Sequence, residues 1–104
     1  MTAEEHRART IVAAMLAHEF PGAEALREQL AVARVERHET GCAIHVDRTR
    51  AAPADLPDGA APVDAGGHGS LWIMLHLHEG YLDDLELVYG REFPDPATVT
   101  VRGT

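Results

Sequence analysis

The chain contains no lysine and no asparagine, and it has one cysteine and one serine among its 104 residues. Lysine and asparagine have AT-rich codons, so their absence indicates a GC-rich genome. The single cysteine, Cys42, excludes an internal disulfide. The single serine, Ser70, is not part of a Gly-x-Ser-x-Gly segment, which excludes that nucleophile motif. The sequence also lacks a glycine-rich phosphate loop and a His-Glu-x-x-His zinc motif.

Basic residues are scarce, because nine arginines oppose seventeen acids and leave a net charge of −8. Binding to nucleic acid or to an anionic membrane needs a basic surface, so neither is expected as the main partner. The charge is uneven: residues 1–50 carry a net charge of −1, and residues 51–104 carry −7. The second part of the chain either attracts a basic protein partner or simply maintains solubility.

Long apolar runs and a charged-then-apolar leader are both absent from the sequence. A membrane span needs about 20 apolar residues, so we expect no membrane association. We expect a cytoplasmic protein. The length and the hydrophobic fraction of 45% fit one domain covering residues 1–104.

Two helices are predicted at the start of the chain. Thr2 and Glu5 form a capping-box pattern, which predicts a helix from Ala3 to about His18. One apolar stripe runs along this helix and consists of Ala8, Ile11, Val12, Met15 and Leu16. A second, short helix is predicted with Pro21 in its first turn. Its buried edge consists of Leu26 and Leu30.

A hairpin follows, because the apolar period changes to two after residue 32. One strand covers residues 33–36, the turn is Glu39-Thr40-Gly41, and a second strand covers residues 42–47. Cys42 and His45 are three residues apart, so their side chains point to opposite faces and cannot form a catalytic dyad. We expect Cys42 to be a small core residue.

Residues 48–69 contain three prolines and four glycines and no aromatic residue. This composition predicts a long loop, and its length is typical of a mobile segment.

A second hairpin begins at residue 70. One face of its first strand carries Leu71, Ile73, Leu75 and Leu77, and the other face carries Trp72, Met74, His76 and His78. In the returning strand Leu85, Leu87 and Tyr89 alternate with Asp84, Glu86 and Val88.

The turn of this hairpin decides which residues are paired. A two-residue turn puts Ile73 opposite Glu86, whereas a three-residue turn ending at Gly80 puts Ile73 opposite Leu85. The second register matches apolar with apolar residues, so we predict it. It leaves Asp83 facing the core, which conflicts with its charge.

The end of the chain contains a rigid turn at residues 93–96 and a short strand around Val99 and Val101. The order of elements indicates the α+β class. We predict two N-terminal helices packed on one face of an antiparallel sheet of four or five strands.

Histidines and acids share the uncovered face of this predicted sheet. His76 and His78 lie two apart on a strand, Asp84 lies diagonally near His76, and His45 joins them if its strand is adjacent. Two imidazoles and a carboxylate suffice for zinc or iron, or for acid–base chemistry. The alternative is a solvated polar face. No other cofactor is indicated.

Trp72, Met74, Val88 and Glu86 are predicted on the same face. Either residues 48–69 shield the tryptophan, or these residues form a partner surface, where Trp and Met are enriched. The leading hypothesis is a non-enzymatic interaction module that binds a second copy or a basic protein. An inhibitor or immunity-type protein is one instance, by analogy. The rival hypothesis is a small-ligand or metal-binding protein.

Several short segments resemble a family of small uncharacterised actinobacterial proteins. The segments are Phe20-Pro21-Gly22-Ala23, Leu26-Arg27, Gln29-Leu30, Gly80-Tyr81-Leu82, Leu85-Glu86 and Phe93-Pro94-Asp95-Pro96. Many members of that family carry a Cys-Gly-Cys-type segment at the second strand, of which only Gly41-Cys42 is present here. The resemblance implies an actinobacterial, cytoplasmic protein and adds no site residues.

Overall fold

The computed structural model describes residues 1–67 and 70–103, and it is an α+β protein with an antiparallel sheet. The helices are α1 (Ala3–Leu16) and α2 (Ala23–Ala31). The strands are β1 (Ala33–His38), β2 (Gly41–Val46), β3 (Gly59–Gly67), β4 (Ser70–His78), β5 (Tyr81–Leu87) and β6 (Thr100–Gly103). The fold class is therefore confirmed, but the sheet has six strands in the described residues instead of four or five.

The strands are ordered β1-β2-β5-β4-β3-β6, and every pair of neighbours is antiparallel. Both helices pack on one face of the sheet, as predicted, and together they enclose the core. Its largest fully buried side chains include Phe93, Ile11, Met15, Leu16, Leu26, Ile73, Leu75 and Leu85. Neither helix has the length and apolarity that crossing a membrane requires.

The first helix begins with the predicted capping box. The Thr2 hydroxyl accepts from the Glu5 amide at 3.1 Å, and the Glu5 carboxylate accepts from the Thr2 amide at 2.8 Å. The second helix does not begin at Pro21. Gly22 precedes it in a left-handed conformation (φ 94°), so Pro21 belongs to the turn before the helix. That prediction is therefore wrong, because a left-handed residue interrupts the helical geometry after the proline.

The carboxyl ends of the two helices are capped by each other's arginines. Neither helix has a basic residue in its own last turn. Arg27 of α2 donates to the Leu16 carbonyl at 2.5 Å, and Arg9 of α1 donates to the Leu30 carbonyl at 2.6 Å. A guanidinium here satisfies carbonyls that lack helical partners and opposes the negative end of the helix dipole.

Side chains of α1 also occupy part of the outer edge of β1. The Glu5 carboxylate accepts from the Arg37 amide at 2.9 Å, and Arg9 donates to the Ala33 carbonyl at 3.1 Å. Unpaired backbone groups on an edge strand invite pairing with another chain. These two contacts reduce the number of such groups on β1.

The β1–β2 hairpin is present as predicted, but its turn is Glu39-Thr40, because Gly41 already belongs to β2 and pairs with His38. The prediction that residues 48–69 form a loop is wrong for residues 59–67, which form β3 between β4 and β6. Residues 68 and 69 lie outside the described residues. Small side chains and Pro62 hide this strand in the sequence, because both are typical of turns. Its buried residues alternate as Ala61, Val63 and Ala65 and then include Gly66 and Gly67.

A two-residue turn connects β4 and β5, so the predicted three-residue turn is wrong. Glu79 and Gly80 both have left-handed backbones (φ 54° and 81°), which suits the twist of a hairpin. A side chain at Gly80 would lie 2.5 Å from the Ala54 carbonyl. The Ala54 amide also donates to the Gly80 carbonyl at 2.7 Å, so the 51–54 segment packs directly on the turn.

The register of this hairpin is also different from the prediction. Ile73 is opposite Leu87 instead of Leu85, because Asp83 is an extra residue that bulges out of β5. The bulge moves the pairing by one residue after the short turn and so keeps apolar residues opposite apolar residues. Asp83 is exposed, which removes the conflict of a carboxylate facing the core.

Gln29 of α2 connects the second hairpin to the helical layer. Its side chain is fully buried. The amide nitrogen donates to the carbonyls of Gly80 at 2.9 Å and Ala52 at 3.0 Å, and the amide oxygen accepts from the Leu82 amide at 2.8 Å. One side chain therefore joins three separate backbone groups in the interior.

Candidate functional site

The face of the sheet that points away from the helices is called the open face below. Strand β4 presents half-buried Trp72, Met74 and His76 on it, and β5 presents half-buried Asp84 and Glu86. Alternate residues of both strands are buried beneath the helices. The predicted two-residue alternation therefore places Trp72, Met74 and Glu86 on the expected side.

Two histidine–carboxylate pairs lie at the centre of the open face. His38 Nε2 is 2.5 Å from Asp84 Oδ1, and His76 Nε2 is 2.7 Å from Glu86 Oε1. The first pair crosses from β1 to β5 over the end of β2, where Gly41 has no side chain. A side chain at Gly41 would meet the Leu85 carbonyl at 2.0 Å, so this position also allows β2 and β5 to approach.

Two further histidines are paired at the margins of the same face. His45 Nε2 is 3.1 Å from Glu36 Oε1, so His45 does not join His76. His78 Nδ1 is 3.3 Å from Asp58 Oδ2, and its Nε2 is 3.0 Å from Glu79 Oε1. Each of these four histidines therefore contacts at least one carboxylate on this face.

A broad depression of about 620 Å³ opens between these side chains. Its ionisable lining residues are Asp58, Asp83, Asp84, Glu86, His76 and His78, and no arginine belongs to the described lining. This depression is called the acidic hollow. Ala43 and Gly59 contribute little side chain to it, and four of its ten lining residues carry carboxylates. Such a lining favours a cationic group.

The predicted metal ligands His76, His78 and Asp84 do not point to a common centre. His76 and Asp84 are directly opposite each other in the ladder, closer than the predicted diagonal. However, each of the three side chains engages another residue: Glu86, Asp58 and His38, respectively. Among the residues that the structure describes, no three His, Cys, Asp or Glu side chains are arranged to hold a metal ion. Metal binding stays a prediction without geometric support.

A second depression, of about 360 Å³, lies beside Trp72. Tyr89 forms another wall, and Ser70, Gly67 and Gly90 complete the described lining. This depression is called the aromatic hollow. Tyr89 was expected to continue the core-facing alternation of β5, but that strand ends at Leu87, and Tyr89 is 70% exposed. That expectation is wrong, because the ladder no longer holds the chain in the sheet.

Trp72 is only partly shielded. Its side chain packs partly against the core. Val88, which donates to the Trp72 carbonyl at 2.9 Å, is 44% exposed. The predicted interaction residues are therefore near one another at one end of the open face, with Glu86 directly opposite Met74.

Cys42 lies on the helix-covered side and is fully buried, in agreement with its predicted place in the core. Burial raises the pKa of its thiol to about 11. A thiol that stays protonated at neutral pH is a poor nucleophile and a poor metal ligand.

His38 and Asp58 were missed by the sequence reasoning. His38 ends β1, two residues beyond the predicted strand, and nothing in the local pattern shows that this end lies over β5. Asp58 precedes β3, which was itself unrecognised. Local residue spacing cannot reveal either contact, since both depend on the order of strands in the sheet.

Comparisons of the chain with protein-family models, with curated proteins and with solved structures find no match. The resemblance to a family of small actinobacterial proteins therefore stays a prediction.

Proposed function

We propose that this protein is a non-enzymatic interaction module that binds a basic segment of a protein partner on its open face. The observation that carries the proposal is the acidic hollow on the side of the sheet opposite the helices. Four carboxylates line it, and the described lining contains no arginine. A guanidinium or ammonium group of a partner would find several acceptors there.

The charge distribution supports a basic partner. Residues 51–104 carry a net charge of −7, and this part of the chain supplies all four carboxylates of the hollow. Complementary charge raises the rate of association and suppresses wrong partners more than it adds affinity. The interaction is therefore expected to weaken as salt is added, since the Debye length falls to about 10 Å at 0.1 M.

Apolar contacts at the other end of the open face supply the remaining affinity. Trp72 and Met74 are half-buried, and Val88 is exposed beside them. Aromatic and methionine side chains are enriched in protein interfaces, where they are buried together with a few charged anchors. Inhibitors and immunity-type proteins act by such surface recognition, and that analogy is the narrower form of the proposal.

Calorimetric titration with a hexapeptide of alternating arginine and glycine tests the proposal. The variant D84R/E86R reverses two charges in the hollow, and the matched control E24R/E28R makes the same change on exposed positions of α2. We expect the first variant to weaken binding by about tenfold more than the control does. Equal losses would mean that only net charge matters and would overturn the proposed site.

Native mass spectrometry of the untagged protein separates this proposal from its rival. A dimer, or a complex with a basic protein that D84R/E86R abolishes, supports the interaction module. A monomer with one stoichiometric metal ion, lost when His76 and His78 are replaced by glutamine, would instead support the metal-binding hypothesis.

A further inference from the structure

We infer that the open face recognises an extended peptide segment that carries an apolar residue and an arginine four positions apart. The apolar side chain enters the aromatic hollow, and the arginine enters the acidic hollow. This inference rests on the proposed function and specifies the partner's chemistry. It follows from the placement of two chemically different depressions along one strand.

Both hollows are aligned along β4. Trp72 lines the aromatic hollow, and His76 lines the acidic hollow. These residues lie on the same face, because they are an even number of positions apart in one strand. Four residues of a strand span roughly 13 Å. Trp72 and His76 are the facing ends of the two hollows on β4, which extend to Ser70 and to His78 respectively, so an occupant whose groups enter at these facing ends presents them at about that separation.

An extended segment matches this separation with residues i and i+4. Its rise per residue equals that of β4, and side chains four apart point to the same side. Residues i and i+3 of such a segment point to opposite sides. In a helix, residues i and i+4 are only about 6 Å apart, so the same spacing would fill one hollow at most.

The aromatic hollow suits a single apolar side chain. Its described walls include the rings of Trp72 and of Tyr89, which is 70% exposed, and Gly67 and Gly90 add no side chain. Among its described lining residues, the two rings are therefore the large apolar side chains. Burial of a leucine or phenylalanine between two aromatic rings is the kind of contact that dominates interface energetics.

The acidic hollow suits arginine in particular. His76 bonds one oxygen of Glu86 (Oε1), and His38 bonds one oxygen of Asp84 (Oδ1). Each carboxylate thus has a second oxygen that can accept from a guanidinium. The planar fork of arginine can reach two carboxylates at once, whereas lysine places a single point charge.

A set of peptides with blocked ends tests the spacing between the apolar residue and the arginine. All of their other residues are uncharged. Each carries one phenylalanine and one arginine, separated by three, four or eight positions, in both orders, and a further peptide carries the arginine alone. Trp72 is the only tryptophan in the chain, so its fluorescence reports binding at the aromatic hollow. Calorimetry reports total binding. We expect one order of the four-position peptide to bind about tenfold more tightly than the others.

Variants of the protein show which hollow each end of the peptide occupies. Y89A is expected to remove the advantage of the four-position peptide, because Tyr89 is a wall of the aromatic hollow. Arginine-only binding should not change, because Tyr89 does not belong to the described lining of the acidic hollow, and it lies outside the strands. D84N is expected to weaken every arginine peptide, and E28Q on α2 is the matched control that leaves all affinities unchanged. Equal binding at three and four positions, or the tightest binding at eight, would overturn the inference while the proposed function stands. Failure of every basic peptide to bind would overturn the proposed function itself.

Discussion

Replacing Gln29 with leucine tests how the helical layer holds the second hairpin. The substitution nearly preserves side-chain volume in a fully buried position but removes all three hydrogen bonds of the amide. The backbone groups that lose their partner are the carbonyls of Ala52 and Gly80 and the amide of Leu82. We expect a stable fold with a weakened hairpin.

The three lost bonds are not equivalent. Ala52 is exposed, so water can replace its partner at little cost. The Gly80 carbonyl keeps the Ala54 amide at 2.7 Å, so its loss is partial. The buried Leu82 amide loses the Gln29 oxygen, and an unsatisfied buried donor costs about 1–3 kcal/mol. Adding up to about 1 kcal/mol for Gly80, we expect Gln29→Leu to lower the free energy of unfolding by about 1–4 kcal/mol.

Urea denaturation of the variant measures this loss, and hydrogen exchange locates it. A slope of about 2 kcal/mol per M converts the expected loss into a midpoint shift of about 0.5–2 M. The amide of Leu82 should show the largest gain in exchange. Glu28→Leu, on the exposed side of the same helix, is the control and should change stability by less than about 0.5 kcal/mol. A Gln29→Leu midpoint equal to that of the control would refute the reasoning.

Two further predictions concern ionisable groups. Hydrogen bonds from the Thr2 and Arg37 amides hold the pKa of Glu5 below its ordinary value of 4.5. The ionised carboxylate therefore stabilises the fold above pH 4.5. This contribution is lost as the pH falls through the lowered pKa. As the pH is lowered below 4.5, the urea midpoint of Glu5→Gln should therefore fall less steeply than that of the wild type, and parallel curves would contradict this. Burial raises the pKa of Cys42 to about 11, so its thiol should react with a thiol reagent only when the protein unfolds. Absorbance of the reagent with and without urea measures this reaction. Rapid reaction of the native protein would show that the thiol is accessible.

The sequence predicted those elements whose signals are local. The capping residues Thr2 and Glu5 marked the start of α1, and alternating polarity marked the β1–β2 hairpin and the two faces of β4. Each of these depends on residues within a few positions of one another. The α+β class followed from the order of such elements.

Features set by distant contacts were predicted poorly. Strand β3 consists mainly of small residues and is held by β4 and β6 on its two sides. The register of the β4–β5 hairpin depends on a bulge at Asp83, which costs little there because the residue is exposed. A rule that counts turn residues without allowing for a bulge selects the wrong pairing.

The candidate site was recognised only in part, for the same reason. His76, Asp84 and Glu86 were placed on one face correctly, because they belong to neighbouring strands of a single hairpin. Their partners His38 and Asp58 come from elements whose position depends on the whole sheet. Consequently, three residues that suggested a metal site are in fact distributed among separate histidine–carboxylate pairs.

Because each helix is capped by an arginine of the other, the order of synthesis affects when the caps can form. The cap of α1 is Arg27, which is eleven residues beyond the Leu16 carbonyl that it bonds. The cap of α2 is Arg9, which is synthesised before its acceptors, the carbonyls of Leu30 and Ala33. A nascent chain that ends before Arg27 therefore has a first helix with an uncapped carboxyl end. Once the chain extends past Ala33, both caps can close together, and the helical pair can form before any of the sheet's long-range pairings exist.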